Sequence, residues 1–67
     1  MTVFVNGEQR SLRDGATVAD VVADMGRDGG RGLAVAVNGE VVARSQWPAA
    51  QLTENDRIEV LEAIGGG

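Results

Sequence analysis

The 67-residue sequence contains no cysteine and no histidine. It therefore offers neither disulfides nor the usual ligand set of a zinc site, and it has no Cys nucleophile or His general base. The core must come from aliphatic side chains. This is demanding in so small a domain, which buries only about 60% of the surface that its unfolded chain exposes.

Positive charge is scarce as well, since the chain has no lysine and its six arginines are outnumbered by ten acidic residues, for a formal net charge of −4. A surface that binds nucleic acid needs a basic stripe, so the composition argues against that class of partner. The first residues lack the basic start and apolar run of a signal peptide, and no apolar run is long enough to span a bilayer. We therefore expect a cytoplasmic protein without a nucleic-acid, membrane or metal site.

The apolar pattern predicts two hairpins, each closed by an asparagine–glycine pair. The β-branched and aromatic run 2–5 precedes Asn6-Gly7, a dipeptide typical of two-residue turns because both residues tolerate positive φ. Residues 8–13 then return as a polar strand, which we expect at an edge of the sheet. The second hairpin has the same plan, with its first strand, turn and return strand at 33–37, Asn38-Gly39 and 40–43.

One helix is predicted between the hairpins. Thr17 is placed to cap its amino terminus, and Asp20 three residues later suits the positive end of the helix. Gly26 is the expected residue just beyond its end. Residues 27–32 predict a connector and not a phosphate-binding loop, because they follow a helix instead of leading into one. The buried face of the helix is expected to consist of apolar residues at helical spacing: Val18, Val21, Val22 and Met25.

A last strand is predicted over residues 57–62 and continues through Ala63 and Ile64. Before it, residues 44–53 have no regular pattern, and we expect Trp47 to plug the edge of the core there. The resulting order of hairpin, helix, hairpin and strand predicts an α+β domain in which the helix covers one face of a mixed sheet. This is the order of the β-grasp, the fold of ubiquitin. Residues 1–64 would form the domain, and residues 65–67 a flexible glycine tail.

Strand alternation assigns the two faces of this sheet. The face away from the helix would carry Phe4 and Leu61 on neighbouring central strands, among small alanines. Because an exposed sheet face usually alternates to polar residues, we interpret Phe4, Leu61 and Ile64 as partner-binding residues beside the tail. The face toward the helix is expected to carry Val3, Val5, Leu33, Val35, Val37, Ile58 and Val60.

The sequence ends in Gly65, Gly66 and Gly67. Three residues without side chains span about 10 Å when extended, and such a ribbon can enter a tunnel too narrow for ordinary side chains. An ionised terminal carboxylate is a poor electrophile, so acyl chemistry on it requires activation, most simply adenylation with ATP. Because the sequence offers no base or nucleophile for this step, we expect a substrate of other enzymes and not an enzyme.

Several short segments, in their order and spacing, resemble one family over the whole chain. They are Val3-Phe4-Val5-Asn6-Gly7, Thr17-Val18, the segments 36–42 (AVNGEVV), 44–47 (RSQW) and 55–60 (NDRIEV), and the glycine end. Together they resemble the ThiS family, the sulfur carrier proteins of bacterial thiamin biosynthesis. The resemblance implies that Gly67 is adenylated and then converted to a thiocarboxylate, with Gly66 matching the penultimate glycine of the family and Gly65 lengthening the thread.

The resemblance also implies the partners. A ubiquitin-activating-like adenylyltransferase would use ATP and Mg²⁺, a sulfur-relay protein would supply sulfur, and thiazole synthase would accept it. The carrier itself would bind no cofactor, and its Phe4/Leu61 face would contact both enzymes. Three alternatives stay open: the small subunit of molybdopterin synthase, a carrier for cysteine biosynthesis or tRNA thiolation, and a noncatalytic β-grasp interaction module.

Overall fold

A computed structural model of the protein describes residues 1–26 and 32–62, and within them the elements follow the predicted order. The helices are α1 (Val18–Asp24) and a 3₁₀ helix (Arg44–Ala49). The strands are β1 (Thr2–Val5), β2 (Glu8–Ser11), β3 (Leu33–Val37), β4 (Glu40–Val42) and β5 (Arg57–Glu62).

The strands form one mixed sheet in the order β2-β1-β5-β3-β4. β1 lies parallel to β5, whereas the other neighbouring pairs are antiparallel. The last strand of the chain is therefore the central strand of the sheet, and each hairpin lies on one side of it. The predicted α+β class and β-grasp arrangement are confirmed. The predicted continuation of β5 through Ala63 and Ile64 lies outside the described residues.

Both asparagine–glycine turns have the backbone conformation that their sequence predicts. Asn6 and Asn38 each have a φ of 51°, and the glycines that follow them have φ values of 84° and 86°. The return strands are one or two residues shorter than predicted. The last residue of β2 is Ser11, although the next residue, Leu12, still exchanges backbone hydrogen bonds of 2.8 Å with Met1 while its side chain packs against the core.

Helix α1 begins with a complete capping box. The Thr17 side chain accepts a hydrogen bond from the backbone N–H of Asp20, and the Asp20 carboxylate accepts one from the backbone N–H of Thr17 at 2.9 Å. These contacts satisfy two amide groups that the helix itself cannot pair. The helix ends at Asp24, and Gly26, predicted to lie just beyond its end, has a φ of 74° in the left-handed region.

The core lies between α1 and the sheet and contains the predicted valines of both layers. Three predicted core residues are only partly buried, namely Met25, Leu33 and Val37. Two buried apolar residues were not predicted, Ala16 before the helix and Leu52 before β5. The fully or nearly buried apolar set is Val3, Val5, Ala16, Val18, Val21, Val22, Val35, Trp47, Leu52, Ile58 and Val60.

The segment predicted to be irregular is partly helical, which corrects that expectation. Residues Arg44–Ala49 form the 3₁₀ helix, with a hydrogen bond from the Gln46 backbone N–H to the Ala43 carbonyl at 2.8 Å. This turn holds Trp47 at the core edge, as predicted, with 5% of its surface exposed. The indole Nε1 donates to the Val42 carbonyl at 2.9 Å, so the buried ring has a partner for its one polar atom.

Candidate functional site

The sheet face opposite α1 carries an apolar patch. Antiparallel partners point to the same face, and β3 places Ala34 opposite Leu61 and Ala36 opposite Val41. Leu61 is 65% exposed and Val41 is 81% exposed. These are the exposed large apolar side chains of the described residues, and both lie on this one face. We call Ala34, Ala36, Val41 and Leu61 the apolar patch.

The sequence analysis missed Val41. The signal was available, because a two-residue turn at Asn38-Gly39 fixes the register of the hairpin that it closes. That register pairs Val37 with Glu40 and therefore Ala36 with Val41, which assigns Val41 to the open face. β4 has adjacent valines at 41 and 42, so its own alternation does not reveal which of them is exposed.

Phe4 lies on the same face but at the other end of the central strands. It pairs with Gln9 on β2 and lies beside Arg57 at the start of β5. Leu61 is four residues farther along β5, which corresponds to about 13 Å at 3.3 Å per residue. The structure thus confirms that Phe4 and Leu61 share a face on neighbouring strands. The charged residues Arg57 and Glu59 precede Leu61 on the same face of β5, so Phe4 and Leu61 are not in contact along one apolar surface. Phe4 is half-buried, whereas Leu61 stands clear of the sheet.

Two asparagine side chains hold β5 in place at opposite ends. The Asn6 carboxamide accepts a hydrogen bond from the Val60 N–H at 2.9 Å and donates one to the Val60 carbonyl at 3.2 Å. The Asn38 carboxamide accepts from the Arg57 N–H at 3.0 Å and donates to the carboxylate of Asp56 at 2.9 Å. Each hairpin turn is therefore tied to the central strand by its own asparagine.

Asp56 is the buried carboxylate of this network. It accepts hydrogen bonds from the Thr53 N–H at 2.8 Å, from the Thr53 hydroxyl at 3.1 Å and from Asn38. Burial raises the pKa of Asp56, but the hydrogen bonds from the Thr53 backbone, the Asn38 side chain and the Thr53 hydroxyl together lower it below its ordinary value of 3.8. The ionised carboxylate thus fixes the turn that leads into β5.

The predicted reactive end cannot be placed in this geometry, because Ile64, Gly65, Gly66 and Gly67 lie outside the described residues. The described part of β5 ends at Glu62, beside the apolar patch. Over residues 1–26 and 32–62 there is no group of three or more acidic side chains that could hold a metal ion. No helix in that part of the chain is both long and apolar enough to cross a membrane.

Comparisons with known proteins converge on one family. A family model described as "ThiS family" matches residues 3–67. The chain is 33% identical over 67 residues to a thiazole synthase of Paramagnetospirillum magneticum and 36% identical to one of Magnetococcus marinus. Each match covers all of this chain but only 20% of the relative, so the chain spans one fifth of the length of these curated relatives.

Solved structures give the same result. The crystal structure of a thiamine biosynthesis protein, ThiS, from Geobacter metallireducens matches with a TM-score of 0.83 and 26% identity, and the match covers 100% of both chains. The solution structure of a thiamine biosynthesis protein from the same organism matches with a TM-score of 0.79 and 26% identity, over 100% of this chain and 88% of the other.

Proposed function

The chain belongs to the ThiS family, and we propose that it is a sulfur carrier of thiamin biosynthesis whose terminal glycine is the site of covalent loading. The observation that carries this proposal is that the family match runs to residue 67 and so includes the glycine end. The thiazole synthases and thiamine biosynthesis proteins among its relatives favour thiamin over the pterin pathway of molybdopterin synthase.

The proposed chemistry takes place at the carbonyl carbon of Gly67. A carboxylate oxygen of Gly67 attacks the α-phosphorus of ATP in an adenylyltransferase that uses Mg²⁺, and pyrophosphate leaves. Hydrosulfide ion delivered by a relay protein then attacks the carbonyl carbon and displaces AMP, and loss of one proton leaves the thiocarboxylate. Gly65 and Gly66 contribute by having no side chains, so that the thread fits a narrow channel. Apart from the reacting carboxylate itself, the carrier supplies neither a base nor a nucleophile, so the enzymes that act on it perform the catalysis.

The open sheet face is the proposed docking surface for these enzymes. Leu61 and Val41 supply large apolar side chains, and the two alanines between them let a partner approach the sheet closely. Apolar residues exposed together on one face mark interaction sites in soluble proteins. Phe4 would extend the contact at the far end of β1, and Ile64 would extend it toward the tail.

Thiazole synthase is the proposed acceptor of the sulfur. The curated thiazole synthases each include a stretch that is similar to the whole of this chain. A polypeptide that combines both parts brings the carrier domain and the rest of the synthase together at high effective concentration. The presence of both parts in one polypeptide supports our proposal that this carrier binds a thiazole synthase.

Intact mass spectrometry tests the loading reaction. The protein is incubated with ATP, Mg²⁺, a sulfide source and a ThiS-activating adenylyltransferase that has been shown to load a control carrier. Exchange of one terminal oxygen for sulfur raises the mass by about 16 Da, and fragmentation places the added mass on Gly67. An unchanged mass, under conditions that load the control carrier, would contradict the proposed function.

A further inference from the structure

The central strand β5 is paired along most of its length on one side but at few positions on the other. β3 pairs with β5 along the described length of that strand, from Val37 opposite Ile58 to Leu33 opposite Glu62. β1 pairs with it at only two positions, Phe4 with Arg57 and Val5 with Ile58. The chain then turns away from β5 at Asn6-Gly7. In the described residues, the β1 ladder thus stops well before β5 does.

The side chain of Asn6 continues this ladder where the backbone of β1 leaves it. The Asn6 backbone N–H donates to the Ile58 carbonyl at 2.9 Å, which is the last backbone bond of the pair. The carboxamide then binds both the N–H and the carbonyl of Val60, as a peptide group of a neighbouring strand would. A carboxamide can do this because it carries the same donor and acceptor as the backbone.

We propose that Asn6 is a positioning residue for the reaction at Gly67, because it fixes the carboxyl-terminal end of β5 from which the glycine tail leaves. The inference rests on the proposed function. Val60 directly precedes the docking residue Leu61, and Gly67 follows seven residues later. The hydrogen bonds to Val60 therefore hold the segment of β5 that leads toward the tail in place relative to the docked surface.

Precise placement of this segment matters for the rate. Attack by the Gly67 carboxylate requires that its oxygen reach the α-phosphorus of ATP while the sheet is docked. A displacement of about 1 Å in a reacting group can lower a rate by as much as 10²-fold. Loss of the Asn6 bonds frees one side of β5 at Val60, in the segment that leads toward the tail, and so broadens the range of positions that the carboxylate samples.

Asn38 provides a matched control within the same chain. It occupies the same position of an asparagine–glycine turn, has the same φ of 51°, and binds the same strand through its side chain. Its bonds reach Arg57 and Asp56 at the start of β5, away from the tail. Removing this side chain also takes a hydrogen bond from β5, and one from Asp56 as well, but leaves the carboxyl-terminal end of β5 held.

The test compares Asn6→Gly with Asn38→Gly. Glycine retains the positive φ of the turn, so each substitution removes the side-chain bonds with little strain in the backbone. The rate of adenylate formation is measured from pyrophosphate release over a range of carrier concentrations, at a temperature where circular dichroism shows both variants folded. We expect Asn6→Gly to lower kcat about tenfold with KM nearly unchanged, and Asn38→Gly to change kcat by less than about twofold.

Asn6→Asp is a second variant that keeps more of the turn. Its carboxylate can still accept from the Val60 N–H but has no N–H to donate to the Val60 carbonyl, so we expect a kcat between those of wild type and Asn6→Gly. Amide exchange at Val60 should become faster in the order wild type, Asn6→Asp, Asn6→Gly, and should stay slow in Asn38→Gly. If Asn6→Gly does not fold, Asn6→Asp is compared with Asn38→Gly in the same way.

Three results would overturn the inference while wild type is still adenylated. These are equal losses of kcat in the Asn6 and Asn38 variants, a loss in Asn6 variants that is confined to KM, and an unchanged kcat in the Asn6 variants. The first would show a general effect on the fold and the second an effect on docking. A wild-type protein that is not adenylated would instead contradict the proposed function, and the inference with it.

Discussion

At the scale of single residues, the two hairpin asparagines each have two roles. The backbone of Asn6 and Asn38 adopts the positive φ of the turn, and the side chain binds the central strand. Glycine would satisfy only the first role, and most other residues would satisfy neither. The turns therefore do more than reverse the chain, because they connect each local hairpin to a strand that is distant in sequence.

Asp56 leads to a prediction about pH at the same scale. Its folded-state pKa is below the ordinary value of 3.8, so the ionised form contributes stability that is fully present above that value and is lost as the pH falls through the folded pKa. Asp56→Asn replaces one acceptor oxygen with a donor that faces other donors. We expect the free energy of unfolding, measured with urea at about pH 7, to fall by about 1.5–3 kcal/mol.

The pH dependence separates this effect from a general loss of packing. As the pH falls from 3.8 through the folded-state pKa of Asp56, the wild-type carboxylate becomes protonated, so the stabilities of wild type and Asp56→Asn should converge. Asp20 also has a lowered pKa, owing first to the hydrogen bond from the Thr17 backbone and also to the nearby Arg13, and it loses stabilising contacts in the same acid range. A stability difference for Asp56→Asn that stays constant as the pH falls through this range would contradict the assigned role of its charge.

At the scale of elements, β5 divides its residues between the core and the open sheet face that we propose for docking. Val60 is 8% exposed and packs in the core, whereas its neighbour Leu61 is 65% exposed on the open face. We expect Val60→Ala to lower the free energy of unfolding by about 2 kcal/mol, because it leaves a cavity. Leu61→Ala should change stability by less than about 0.5 kcal/mol but weaken adenylyltransferase binding about tenfold. Urea unfolding and titration calorimetry measure the two effects.

The Phe4→Ala and Val41→Ala variants show how far the docking surface extends. If the apolar patch is the centre of this surface, Val41→Ala should weaken adenylyltransferase binding as Leu61→Ala does. Phe4→Ala should have a smaller effect, because Phe4 lies about 13 Å from Leu61 along the strands. Binding that depends on Phe4 and is unaffected by Leu61→Ala would place the contact at the other end of the sheet. Unfolding of Leu61→Ala would contradict the assignment of the two faces.

The sequence predicts these elements where the signal is local. Asn6-Gly7, Asn38-Gly39 and the Thr17 cap each depend on a few neighbouring residues, and the structure confirms all three. Leu52 and Ala16 were missed because they lie outside any periodic segment and are buried only once the chain is folded. The offset between Phe4 and Leu61 depends on the register of β1 against β5. These strands are more than fifty residues apart in sequence, and the alternation within either strand does not indicate how the two are aligned.

At the scale of the whole molecule, the fold and the proposed chemistry occupy different parts of the chain. The described residues supply a core, the proposed docking face and a strand that leads toward the carboxyl terminus, while the atoms of the proposed reaction lie beyond them. A net charge of −4 spread over so small a body favours encounter with a basic surface on a partner. Recognition and reactivity should then be separable, with docking set by the sheet and reaction by the last residue.

Adding one alanine after Gly67 tests this separation. The extension moves the carboxylate one residue farther from the docked sheet and places a Cβ beside the reacting carbonyl, where the proposed channel has no room for it. We expect affinity for the adenylyltransferase to change by less than about twofold and stability to be unaltered, while adenylate formation falls at least about 10²-fold. Calorimetry and pyrophosphate release measure the two quantities on the same preparation. Adenylation of the extended chain at the wild-type rate would show that the reaction does not depend on a glycine terminus. Loss of both binding and adenylation would show that the tail belongs to the docking surface.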